Sequence, residues 1–208
     1  MKGRFLYLEN TPFDPPKFLA DLPEYRFDIA QQYALGRADL FDYDAVILTM
    51  HADQRHLVEK GERLGAYLDG GGAIIFNGHV ARPFLPELRP YVPVEQRGLE
   101  SLRVHRMADH PLFDEVTGDH LSFQRGVAGF YSRGSNPPPP DALVLNGVGP
   151  DRAPADWLLE RPGGGKLLVH AGNDLFVFLV RADPDGLTHI RRFFDYFAGG
   201  RNADAGRH

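Results

Sequence analysis

Two wholly apolar runs, Ala45-Val46-Ile47-Leu48 and Ala73-Ile74-Ile75-Phe76, are separated by a stretch in which Leu57, Leu64, Ala66 and Leu68 alternate with charged residues. A strand that is apolar on both faces must be covered on both faces, as parallel strands flanked by helices are. The intervening pattern, Gln54 to Leu68, has the spacing of an amphipathic helix, and Gly70-Gly71-Gly72 ends it. Strand, helix, strand in this order predicts a βαβ unit. An antiparallel sandwich would instead show apolar and polar residues in alternation.

Further strands are expected at 5–9, 25–30 and 166–170, which with 44–49 and 73–77 form the centre of a parallel sheet. Lys17 to Leu22 reads as a short helix. Gly186 to Phe197 reads as a closing helix, with Leu187, Ile190, Phe193, Phe194 and Phe197 on one face. The second half is richer in turns. Leu102–Met107, Gly126–Ser132, Ala142–Leu145 and Trp157–Leu159 read as short strands of a β-rich extension, and Ser135 to Pro140 holds four consecutive prolines. The expected fold class is α/β: a flavodoxin-like three-layer sandwich, mainly parallel, with helices on both faces. One domain is expected over 1–198, followed by a disordered tail over 199–208.

The 208 residues include 15 Phe and 8 Tyr, enough bulky apolar material for one core without covalent staples. A net charge of -5 with both signs interspersed lacks the basic footprint of a nucleic-acid partner. The apolar run before Glu9 is too short for a membrane span or signal segment. A cytoplasmic protein without a nucleic-acid or membrane partner is therefore expected, and a homo-oligomer stays open. Cysteine is absent, which removes disulfides, thiolate metal sites and cysteine nucleophiles together.

In a parallel sheet the ligand crevice lies at the carboxyl ends of the strands. The residues just past the expected strand ends are Asn10, His51, Asp53, Asn77, Gly78, His79, Asn173 and Asp174. Asn10, Asn77, Gly78, Asn173 and Asp174 are candidate ligand-binding residues. His79 and His51 are candidate general bases, oriented by Asp53 or Asp174. His170, inside an apolar strand, reads as a hydrogen-bonded core histidine. His51-x-Asp53 and Asn77-x-His79 offer nitrogen and oxygen ligands, but no His-x-x-x-His or paired-carboxylate spacing supports them, so no metal or cofactor is expected. No Gly-x-Ser-x-Gly elbow is present, and Gly163-Gly164-Gly165-Lys166 precedes a strand instead of the helix that a phosphate loop needs.

The motifs Asp42-Tyr43-Asp44-Ala45-Val46-Ile47-Leu48, Tyr67-Leu68-Asp69-Gly70-Gly71-Gly72, Asn77-Gly78, His110-Pro111-Leu112-Phe113, and Gly165-Lys166 leading to Gly172-Asn173-Asp174 occur in that order. Together they resemble the class I glutamine amidotransferase-like superfamily, and within it the ThuA-like (trehalose-utilisation) branch. In catalytic members the elbow after the glycine-rich turn carries a cysteine. The resemblance puts Asn77 there, and implies a strained or positive-φ backbone at that residue. ThuA-like members show histidine at the elbow and a Gly-His pair near the later strand end, where this chain has Asn77 and Gly172-Asn173. The resemblance implies a non-catalytic domain that binds a small polar or sugar-like ligand, or a protein partner, at the strand edge. Two alternatives remain: a carbohydrate-related hydrolase or isomerase with His79 or His51 as base, and a structural oligomerisation subunit.

Thioester chemistry needs a thiol. The purified protein is expected to release no ammonia from glutamine, and cysteine-directed amidotransferase inhibitors are expected not to label it in a mass-spectrometric assay. Ammonia release that Asn77→Ala abolishes would overturn this.

Overall fold

The structure is a computed structural model that describes residues 1–11, 14–95, 98–124, 126–183 and 187–199. The expected tail beyond Gly199 lies outside the described residues. Four parallel strands open the chain: β1 (Gly3–Glu9), β2 (Tyr25–Gln31), β3 (Ala45–Leu48) and β4 (Ala73–Asn77). Between β3 and β4 lie two helices, α1 (Gln54–Glu59) and α2 (Gly61–Asp69). A long excursion follows. It holds the two-residue strand β5 (Val92–Pro93), β6 (Val104–Arg106), helix α3 (Gly118–Ser122), the hairpin β7 (Phe123–Gln124) and β8 (Val127–Ala128), β9 (Gly134–Ser135), β10 (Leu143–Val148) and β11 (Ala153–Glu160). The chain then returns to the centre with β12 (Lys166–His170) and ends in α4 (Phe176–Ala182) and α5 (Thr188–Phe197).

Eight strands share one mixed, mostly parallel sheet in the order β2-β1-β3-β4-β12-β11-β10-β6. The first five are parallel, with Val46 beside Ile74 and Ile74 beside Leu167. The last three join antiparallel. The βαβ expectation from the two apolar runs is therefore what the chain forms. Successive side chains of a strand point to opposite faces, and two separate cores result. On one face Phe5, Tyr7, Ile47 and Ile75 pack with Phe176 of α4 and Phe194 of α5. On the other Leu6, Val46, Ile74 and Phe76 pack with Leu57 of α1 and Tyr67 of α2.

Several local expectations are corrected. The single helix over 54–68 is two, broken at Lys60 (φ -106°, ψ 7°), because the loop after β4 crosses it. A Cβ on Gly61 would stand 2.6 Å from the Phe84 carbonyl oxygen, so only glycine lets the loop pass. The helix at 17–22 is a 3₁₀ turn, Lys17–Asp21. Of the strand expected over 126–132, only Val127–Ala128 forms a strand pair, and Ser132 adds a single antiparallel bridge to Gly172. Trp157–Leu159 grows to the eight-residue β11, because both neighbours, β10 and β12, pair along it. The closing helix begins at Thr188, and its proposed first residue, Gly186, lies outside the described residues.

The turn at 161–165 seats β12 against the end of α2. A Cβ on Gly165 would fall 1.8 Å from the Leu68 carbonyl oxygen, a backbone atom that cannot swing aside. Gly165→Ala is expected to cost about 1–3 kcal/mol, the usual range for overpacking. The measurement is a urea titration, read as a lower midpoint at unchanged slope.

Candidate functional site

The carboxyl ends of β1, β3, β4 and β12 meet at one edge of the sheet, as the sequence anticipates. Contact is direct: a Cβ on Gly78 would stand 3.1 Å from the Met50 Cα, which is why this residue takes φ +113° without a side chain. The expected strain at Asn77 is thereby corrected. Asn77 completes the extended backbone of β4, opposite His170, and the positive φ falls one residue later, on Gly78.

Several of the proposed ligand-binding side chains turn out to hold backbone. Asn77 is fully buried; its Nδ2 donates to the Leu48 carbonyl (3.1 Å), and its Oδ1 accepts from Leu175 N (2.9 Å), so one amide ties β3, β4 and the start of α4. Asn10 Nδ2 donates to the His51 carbonyl (3.0 Å), across the gap between β1 and β3. Asp174 Oδ1 accepts from Met50 N (2.8 Å). Asp53 caps α1, accepting from Arg55 N (2.9 Å) and from Tyr33 Oη (3.0 Å). The Tyr33 hydroxyl, more than any other contact, holds the Asp53 carboxyl below its usual range. Among the described residues no hydrogen bond joins Asp53 to His51 or His79, so the expected orienting role of this carboxylate is not what the geometry provides.

His51, His79 and Asn173 keep their side-chain polar atoms free of hydrogen bonds among the described residues. His51 and His79 are exposed, and Asn173 is half-buried. The His79 ring lies flat on Tyr91, with centroids 3.6 Å apart and planes 12° from parallel. Its imidazole is lowered from the ordinary value, first by loss of water on one side and then by the charge of His170. Asp174 moves the other way: burial raises its carboxyl, against the opposing pull of the Met50 N–H, His51 and His170. Both groups are thus biased toward their uncharged forms.

Behind this edge lies a buried polar network that only part of the sequence announced. His170, buried as its apolar strand implies, has Nδ1 2.5 Å from Asp156 Oδ1. Asp156 Oδ2 accepts from Tyr131 Oη (2.5 Å) and Asn146 Nδ2 (2.7 Å), and Asn146 Oδ1 accepts from Arg106 (2.8 Å). Burial pushes the Tyr131 hydroxyl well up, and Asp156 adds to it. A lone carboxylate in the apolar run Ala155-Asp156-Trp157-Leu158 was the available signal. Tyr131 and Tyr91 had none, since both come from irregular segments. Among the described residues no group of three or more His, Asp or Glu is placed to hold a metal ion.

No protein-family model and no curated protein matches the sequence. The fold is similar to that of two solved Salmonella typhimurium structures. The cytoplasmic protein STM3548 superposes with a TM-score of 0.57 at 12% identity, over 94% of this chain and 97% of that one. The cytoplasmic protein STM1381, from strain LT2, superposes at 0.51 and 11% identity, over 82% of this chain and 88% of that one. The likeness is one of fold. Among the described residues no helix is long and apolar enough to cross a membrane.

Asn77→Ala leaves the Leu48 carbonyl and the Leu175 N–H unpaired in a buried place. At about 1–3 kcal/mol for each such group, the variant is expected to lose about 2–6 kcal/mol. Asn77→Gly is expected to lose at least as much, since no positive φ favours glycine here. Denaturant unfolding checks the order: an Asn77→Gly variant as stable as the parent would show that the amide carries nothing.

Proposed function

We propose that this chain is a cysteine-less, amidotransferase-like domain of ThuA-like kinship and flavodoxin-like type. In this reading it turns over no glutamine, and the carboxyl edge of its parallel strands binds a small neutral polar ligand of sugar-like character. The kinship is supported by the strand order β2-β1-β3-β4-β12, which reverses direction between β1 and β3, where open α/β sheets hold ligands. Asn10 and His51 flank that point. A cytoplasmic setting is part of the same proposal, in keeping with the description of both structural neighbours.

The observation that carries the ligand class is the His79–Tyr91 stack. A flat, partly uncovered aromatic surface suits the C–H face of a pyranose ring, while the free polar atoms of His51 and Asn173 and the raised carboxyl of Asp174 suit its hydroxyls. An anionic ligand would find no unpaired cation among these residues. The hydrolytic alternative lacks a bonded orienting carboxylate: Asp53 is spent on the helix cap and Tyr33, and Asp174 accepts from Met50 N and makes no hydrogen bond to His51 or His79 among the described residues.

The test is an NMR titration that follows the His79 and His51 ring protons against trehalose, glucose and glutamine. Saturable shifts with a neutral sugar, lost in Tyr91→Ala, are expected; rings that stay unmoved by every compound sink the reading. Binding is also expected to depend on pH. The His79 pKa is depressed below the ordinary 6.5, so the imidazole is neutral at pH 7 and gains its proton only on acidification below that value. Affinity should be level above pH 6.5 and fall as pH drops through the His79 pKa. Affinity that rises on acidification would contradict a neutral-ligand site.

A further inference from the structure

The sheet has two edges, and they differ. At one, β6 offers only three residues. At the other, β2 offers seven, Tyr25–Gln31, with a partner on one side only. The direction of its backbone groups follows from two hydrogen bonds. The Glu24 carbonyl accepts from Lys2 N (2.8 Å), toward β1, and Tyr25 N turns the opposite way, to the Leu22 carbonyl (3.1 Å). Alternation along the strand then sends the N–H and C=O groups of Phe27 and Ile29 away from β1. Among the described residues neither of these makes a backbone hydrogen bond outside the sheet.

Beside this edge runs a cavity of about 380 Å³. Tyr25, Phe27 and Ile29 form one wall, and Pro15, Pro16 and Pro23 stand among the residues facing them. Ile29 is 43% exposed. On the polar face of the strand the exposed Arg26 pairs with Asp28 (2.9 Å), a half-buried carboxylate that Arg4 of β1 also holds (2.6 Å). Charges of this kind ordinarily guard an edge against pairing.

We propose that β2 is a self-pairing edge, and that its occupant is a second copy of this chain, joined by antiparallel β2–β2 pairing about a two-fold axis at Phe27. This register is selected by charge. With Phe27 opposite Phe27, Arg26 stands opposite Asp28 of the second copy, and the symmetry repeats the pair. Tyr25 stands opposite Ile29 on the apolar face. Centring on Asp28 instead would bring two carboxylates together. The outward groups of Phe27 fall in a hydrogen-bonded pair, which exchanges two backbone bonds. Ile29 N–H meets the Tyr25 carbonyl, whose own N–H is already used within the chain. The apolar side chains of the incoming strand lie along the proline-walled cavity, and the two sheets become one.

Sedimentation velocity of the full chain over a wide concentration range tests this, with two variants whose folding is checked by circular dichroism. Ile29→Pro removes an outward N–H that no acceptor among the described residues uses. Arg26→Glu sets like charges opposite each other twice. Because attraction becomes repulsion at two symmetry-related cross-strand pairs, dimerisation should weaken about tenfold or more. A wild-type dimer that both folded variants dissociate is the expected result. If Ile29→Pro fails to fold, Arg26→Glu decides. A wild-type chain that stays monomeric at every concentration, or pairs only with a different protein, overturns the proposal, as does a dimer indifferent to Arg26→Glu.

Discussion

The constraint on which the molecule depends is burial of its central strands on both faces at once. Every residue of β3 is at zero exposure, β4 reaches at most 4%, and β12 is fully buried from Leu167 to His170. A strand in that position cannot carry a solvated side chain anywhere along its length, since an unpaired polar group there costs several kcal/mol. Polar chemistry is driven to the strand ends. The exceptions prove instructive: Asp156 and His170 lie in β11 and β12 and bond each other through Oδ1 and Nδ1, Tyr131 and Asn146 take up the remaining carboxylate oxygen, and His170 Nε2 has no hydrogen-bond partner among the described residues.

Packing helices on both faces leaves the strand ends as a row of loops that must be held in register without a sheet. Amide side chains do this here, because one amide offers a donor and an acceptor in the same geometry as a peptide group. Asn77 spans three elements. Gln32 clasps Asp53 through both its backbone groups, each at 2.8 Å. Asn136 accepts from Val80 N (2.9 Å) and donates to the Gly78 carbonyl (2.8 Å), while Gln54 holds the His79 carbonyl and the N–H groups of Ala81 and Arg82. With the loops so fixed, His79 and Tyr91 come face to face without any contact of their own forcing them. A rigid frame for a small number of free groups is what a recognition site needs.

The two ends of the sheet solve the edge problem differently. The antiparallel strands β11, β10 and β6 shorten progressively toward one edge, which ends in Arg106, whose guanidinium bonds the Phe113 and Val116 carbonyls. The excursion between β4 and β12 therefore extends the sheet and also closes it. At the other edge β2 stays long, and its aromatic side chains are anchored inward: Phe27 packs on Phe5 and Phe194, and Tyr25 donates to Asp195 (2.7 Å). Its backbone is left over.

The parallel centre was legible in the sequence because two-sided burial writes itself as an unbroken apolar run, and the edge residues were legible because such runs must stop where the polar groups begin. Asn10, His51, Asn77, His79 and Asp174 all stand where that rule puts them. What each of them does was decided by tertiary structure. An asparagine at a strand end reads the same whether its amide faces a ligand or the carbonyl of the next strand, and Asn77 faces Leu48 only because β3 lies beside β4 in that register. The helix break at Gly61 and the ring that covers His79 come from residues 23 and 12 positions away, Phe84 and Tyr91. Periodicity is a local property and records burial. Partnership between side chains is a property of the packed chain, and no spacing along the sequence contains it.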